Sequence, residues 1–194
     1  MKHMLTASDI LPPSEYEKIR DERRRAIIAM KKSRRISIGP YATFFFENYD
    51  TMWLQVQEML RIEKGGVEQL TDELRAYNPL IPKGNELIAT IMFEIEDPVR
   101  RADVLARIGG VEKQIEIRVG GEAIRAQAET DLDYTSAEGK ASSVQFVHFA
   151  MTKAQIIKFC QPNTEVVIAI THPNYGHMAV VPEAVKEQLV KDFS

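Results

Sequence analysis

The segment EKQIEIRVGGEAIRAQAE, residues 112–129, constrains the fold more than any other stretch of the chain. Gly120-Gly121 lies between two alternating runs and suits a two-residue turn of the primed type, which needs positive φ. That turn sets the register: Ile117 faces Ile124, Ile115 faces Ala126 and Glu116 faces Arg125. Apolar side chains then meet on one face and opposite charges meet on the other. A slip of one residue would destroy both matches.

Other stretches add strands by the same period-two logic. Arg34 to Glu47 reads as a hairpin turning at Gly39-Pro40, and its consecutive Phe44, Phe45 and Phe46 put aromatic rings on both faces of the second strand. Leu87 to Glu96 alternates, with Leu87, Ala89, Ile91, Phe93 and Ile95 inward and Thr90, Glu94 and Glu96 on a half-exposed face. SSVQFVHFAMT is a strand whose second half is expected to be buried on both faces. TEVVIAITH is another, PNYG turns it, and HMAVV returns. Asp97-Pro98 starts a helix, Thr152 caps one that ends near Cys160, and Pro182 leads a C-terminal helix. The polar stretch 130–141 is a lid or a linker. Together these features predict an α+β fold: a largely antiparallel sheet of about seven strands with packed helices. Residues 1–33 form an N-terminal arm and basic helix, and residues 34–194 a single domain.

Asp50 to Pro82 carries the only Trp and the densest helical pattern. Met52, Val56, Met59, Leu60 and Glu63 share one helix face, with Asp50 or Thr51 as cap and Gly65-Gly66 as stop. Glu58 and Arg61 are three apart and can pair, with Gln57 beside them on the rim of the stripe. Val67, Leu70 and Leu74 mark a second helix, which Pro79 and Pro82 terminate. QEMLRIE at 57–63 and AYNPLIP at 76–82 resemble an uncharacterised bacterial family of about two hundred residues, a domain of unknown function. The similarity extends to RRISIGP, KASSVQFVHF and THPNYGHMAVVPEAV. The resemblance implies a redox or oxidative-stress setting, because such proteins are often encoded beside rubrerythrin-like and iron–sulfur oxidoreductase proteins. A redox protein of that kind is the partner it implies.

Composition narrows the classes. One cysteine excludes an intrachain disulfide and any thiolate-held cluster within the chain. Cys160, near a helix C-terminus, is read as structural, because that end opposes a thiolate. No apolar run reaches membrane-span length, and MKHMLTASDI lacks a signal-peptide core, so a cytoplasmic protein is expected; Met4 is an alternative start. The net charge of −3 argues against nucleic acid as the main partner. Residues 18–35 nevertheless carry nine basic residues, an alternative contact for RNA or another polyanion. Ser14 and Glu17 are placed to form a capping box at the start of that helix, and Asp21 and Arg25 to pair within it.

The candidate binding residues are Glu58, Arg61, Tyr77, Asn78 and His148. Arg61 would hold an anionic group, Glu58 would orient Arg61, and His148 would carry a proton near neutral pH. Tyr77 and Asn78 stand on a loop between rigid elements. Set against this are plainer roles: a turn for Asn78, a core imidazole for His148 and a solvated rim for the charges. His172 and His177 bracket a tight turn and form a weak alternative metal pair. The same His/Glu/Arg set suits acid–base or metal-dependent catalysis. P-loop, G-x-S-x-G, H-E-x-x-H and dinucleotide fingerprints are absent. The pattern leaves cofactor, substrate and oligomeric state open, a homo-oligomer included.

Overall fold

The computed structural model describes residues 2–129 and 134–193. Helix α1 (Pro13–Lys32) is followed by the hairpin β1 (Arg35–Ile38) and β2 (Ala42–Phe46). Helices α2 (Tyr49–Glu63) and α3 (Gly66–Tyr77) come next, then β3 (Glu86–Phe93) and α4 (Pro98–Arg107). The second half holds β4 (Ile115–Val119), β5 (Glu122–Arg125), β6 (Gln127–Ala128), β7 (Val144–Ala150), α5 (Lys153–Cys160), β8 (Val166–His172), β9 (Tyr175–Val180) and α6 (Glu183–Leu189).

Two antiparallel sheets are formed, in the orders β1-β2-β3-β7-β6 and β5-β4-β8-β9. The class is α+β, but there are nine strands among the described residues, not about seven, and they lie in two sheets. The segment after the Gly120-Gly121 turn explains part of the difference. Its first half, β5, pairs with β4 in one sheet, whereas its second half, β6, pairs with β7 in the other. Alternation along one segment carries no information about which sheet each half joins.

The hairpin register itself is as expected, with Ile117 opposite Ile124 and Glu116 opposite Arg125. Leu87, Ala89, Ile91, Val147 and Phe149 of one sheet and Ile115, Ile117, Ile168 and Ile170 of the other belong to one hydrophobic cluster. Burying these side chains between the sheets is the main source of stability, at about 1.5–3 kcal/mol for each fully buried large residue. Tyr175 joins the layers: its hydroxyl donates to Ile38 O at 2.7 Å and accepts from the Tyr41 and Ala42 N–H groups. Gly39 must be glycine there, since its φ is +65° and a Cβ would lie 2.5 Å from the His177 ring.

A second cluster, built from Leu5, Met52, Val56, Leu80, Ile81 and Ile88, packs helices onto the outer face of the first sheet. This roof corrects one expectation. Thr90 is buried under it with Ile88, whereas Glu94 and Glu96 are exposed as expected, and the Thr90 hydroxyl donates to Glu47 Oε1 at 2.7 Å. On β7 only the inward face is fully buried, with Val147 and Phe149 enclosed while Phe146 and His148 remain half-buried. Near the chain ends, Arg34 is sealed among the Phe46, Glu47 and Gln188 carbonyls and the Asp192 carboxylate. Residues 130–133, within the stretch read as lid or linker, lie outside the described residues. Among the described residues no helix is long and apolar enough to cross a membrane.

Candidate ligand-binding cleft

Helix α2 begins where Asn48 and Thr51 cap one another: the Asn48 side chain accepts from the Thr51 N–H, and the Thr51 hydroxyl accepts from the Asn48 N–H. The cap is thus Asn48, not Asp50 or Thr51. The helix ends at Lys64, which takes the left-handed conformation (φ 54°, ψ 32°). Gly65, at the ordinary φ of −80°, then leads into α3. Trp53 fixes the incoming N-terminal arm by donating to Asp9 O at 2.8 Å. Its ring meets Tyr16 edge-on, and the Arg23 guanidinium lies over it. Pro12 and Pro13 start α1 without a side-chain cap, so the Ser14–Glu17 box does not form; Arg25 bonds to Asp21 O rather than to its carboxylate.

Between the start of α1, the end of α2 and the start of α3 lies an open cleft of about 960 Å³. Ile10, Leu11, Tyr16, Leu60, Val67 and Leu70 supply most of its apolar wall, and Glu17, Gln57, Arg61 and Lys64 its polar points. Such a volume and such a wall suit a small organic molecule. Gln57 is the unusual member. It is 2% exposed, and its Nε2 has no hydrogen-bond partner among the described residues. A buried amide donor left without an acceptor costs about 1–3 kcal/mol.

The five residues singled out from sequence do not converge on this cleft. Arg61 lines it, with Nε and Nη2 on the two carboxylate oxygens of Glu17 at 2.8 and 3.2 Å. Glu58 is not its partner. Glu58 accepts from Tyr16 Oη at 2.5 Å and from Arg20 at 2.8 and 2.9 Å, and the Arg20 guanidinium brings its pKa down to about 2. The i, i+3 pairing fails because α1 lies alongside α2 and offers each charge a two-bond partner. Tyr77 accepts from Gln55 Nε2, and burial raises its pKa. Asn78 pins the N-terminal arm, accepting from Leu5 N–H at 2.7 Å and donating to Leu5 O at 3.0 Å.

His148 is neither in the cleft nor bonded to backbone. Its Nδ1 lies 3.0 Å from Glu86 Oε2 and its Nε2 3.1 Å from Glu129 Oε2. Burial pulls its pKa down, but the two carboxylates outweigh burial and raise it above 6.5. Because the carboxylates sit on opposite ring nitrogens, this arrangement holds a proton-bearing imidazole rather than a metal. His172 Nδ1 accepts from the Asn174 N–H, and the His177 ring packs on Tyr175. Among the described residues no group of three His, Cys, Asp or Glu side chains is placed to hold a metal ion. Glu63, expected on the apolar stripe, is exposed and accepts from Gln69.

Sequence reasoning missed Gln57, Tyr16, Glu17 and Lys64 as cleft residues. A signal for part of the set was present: Trp53, Gln57, Leu60 and Lys64 recur at i, i+4, i+7 and i+11, a second face of α2 beside the apolar stripe.

Fold and cleft together define an α+β protein of two facing antiparallel sheets, roofed by helices that hold an open, mainly apolar cleft. The chain belongs to the family described as protein of unknown function DUF3501, whose profile matches residues 4–193. It is also similar to a solved structure described as a novel protein of unknown function from Burkholderia pseudomallei K96243. The two are 34% identical, with 98% of this chain and 100% of that chain covered and a TM-score of 0.90. The comparison with curated proteins found no match.

Proposed function

We propose that the protein binds a small apolar molecule bearing an oxygen acceptor, in the cleft between α1, α2 and α3, and acts as an accessory, ligand-carrying or ligand-sensing protein. One observation carries this reading: Gln57, whose Nε2 is buried and unpartnered among the described residues, lines a mainly apolar cleft. A rotation of the Gln57 amide toward the cleft would give its Nε2 a carbonyl or carboxyl oxygen seated there, a hydrogen bond that its buried position lacks, while the apolar body gains from leaving water. The redox setting and a rubrerythrin-like or iron–sulfur oxidoreductase partner rest on the family resemblance alone.

The test is calorimetric titration with a medium-chain methyl ketone, which is uncharged and carries one acceptor. Saturable binding is expected, together with its loss in Leu70→Trp, where the indole fills the cleft. Absence of binding, or unchanged binding in that variant, would count against the cleft as the site.

A further inference from the structure

We propose that the ligand is an amphipathic organic anion, its acidic group held at the cleft mouth by Lys64, Arg61 and the start of α3. This rests on the cleft reading above and adds the charge and orientation of the molecule. Four observations support it.

The first is the N-terminus of α3. The helix is 12 residues long, its preceding residue Gly65 provides no side-chain cap, and its first residues Gly66 and Val67 both line the cleft. The free N–H groups of a first helical turn, with the positive end of the dipole, form a site for a carboxylate or phosphate oxygen. Nothing stands within 4 Å of where a Gly66 side chain would begin, so the approach to that backbone is open.

The second is Gln57, more than nine-tenths buried, unpartnered, and in the wall of the same cleft. With the acid at the mouth and the chain on Leu60 and Leu70, a turn of the Gln57 amide into the cleft would meet the inner part of the same molecule.

The third is charge. The charged wall residues are Glu17, Arg61 and Lys64. Glu17 occupies two donors of Arg61 and offsets its charge. Lys64 has no ion-pair partner among the described residues and leaves the cleft wall one positive charge in excess, while Glu68, in the first turn of α3, is not a wall residue. Glu63, the adjacent acid, is not a wall residue and is held by Gln69.

The fourth is backbone. Lys64 holds the left-handed cap of α2, a place where glycine is the usual residue, although glycine is available at the next position with an ordinary φ. That conformation sets the Lys64 side chain out at the rim of the cleft, which it lines.

The experiment compares decanoate, decanol and decyltrimethylammonium on the full chain by calorimetry, with the methyl ketone as reference. Decanoate is expected to bind about tenfold more tightly than decanol, more weakly as salt is raised, and the cation is expected not to bind. Lys64→Gly should weaken decanoate about threefold, leave decanol unchanged, and leave the melting temperature the same or higher, because glycine suits the left-handed cap. Glu17→Gln should tighten decanoate by freeing Arg61. Equal affinity for decanoate and decanol, preference for the cation, or no effect of Lys64→Gly would overturn the anion assignment. If the ketone still binds in that case, the cleft stands and only the charge is wrong. If neither ketone nor decanoate binds, both readings fall.

Discussion

Replacing Gln57 by leucine should make the ligand-free protein more stable and the ligand-binding protein worse. Gln57 is 2% exposed and its Nε2 lacks a partner among the described residues. The wild-type chain therefore carries a desolvation penalty of about 1–3 kcal/mol at that amide. Leucine is close in volume, removes the polar group and packs among the apolar neighbours of α2. Allowing for imperfect repacking, the expected gain is about 1–2 kcal/mol. In a chain of this length each kcal/mol corresponds to roughly 2–4 °C in melting temperature. Urea unfolding followed by the fluorescence of Trp53, the only tryptophan, measures the gain as a higher midpoint at unchanged slope. The same variant should lose most of its affinity for the methyl ketone. Stability kept down for the sake of binding is the pattern expected where a polar group is retained for function. A destabilisation of about 1 kcal/mol or more in Gln57→Leu would refute the reasoning, since it would show the amide already satisfied in the folded protein.

Arg34→Ala should cost about 3–5 kcal/mol, because it strands the buried Asp192 carboxylate. Burial already raises the Asp192 pKa against the pull of Arg34, so the loss should shrink toward acid pH as Asp192 takes a proton. Arg34→Met with Asp192→Leu should restore much of it in urea titrations, and strictly additive losses would argue against the pairing. For His148, the raised folded pKa means that its contribution is complete below 6.5 and disappears as pH rises through the folded value. The wild-type urea midpoint should therefore fall across that window by more than the His148→Gln midpoint does. A His148→Gln profile parallel to wild type would count against the two-carboxylate clamp. Gly109→Ala should destabilise by about 1–3 kcal/mol, because its Cβ would lie 2.1 Å from Gly139 O; thermal melting reads the loss directly.

Features that depend on neighbours in sequence were legible in advance. The Gly120-Gly121 hairpin has its expected register. The Asp97 cap accepts from the Arg100 N–H, and the Thr152 cap is reciprocated by Gln155. The ion pairs were not legible in the same way. Glu58 and Arg61 are neighbours on one helix, yet each bonds to α1, more than thirty residues away in the chain. An exposed i, i+3 pair gains only a few tenths of a kcal/mol, so any packed helix offering two-bond geometry displaces it. His148 shows the same limit: its strand was readable, but it was expected on a buried apolar face, and its partners Glu86 and Glu129 come from β3 and the end of the β6 segment.

From the amino-acid order alone came the α+β class, the hairpins, the helix caps and starts that hold, and the family resemblance, because turn chemistry, capping and periodicity act over a few residues. Tertiary structure alone decided that the nine strands of the described residues divide into two sheets around a shared core, that helices roof one of them, and that Gln57 rather than Glu58 lines the cleft. The physical reason is that a side chain's burial and partners depend on which surface packs against it. In this chain that surface is supplied by α1 and α3, whose docking no local pattern in α2 encodes.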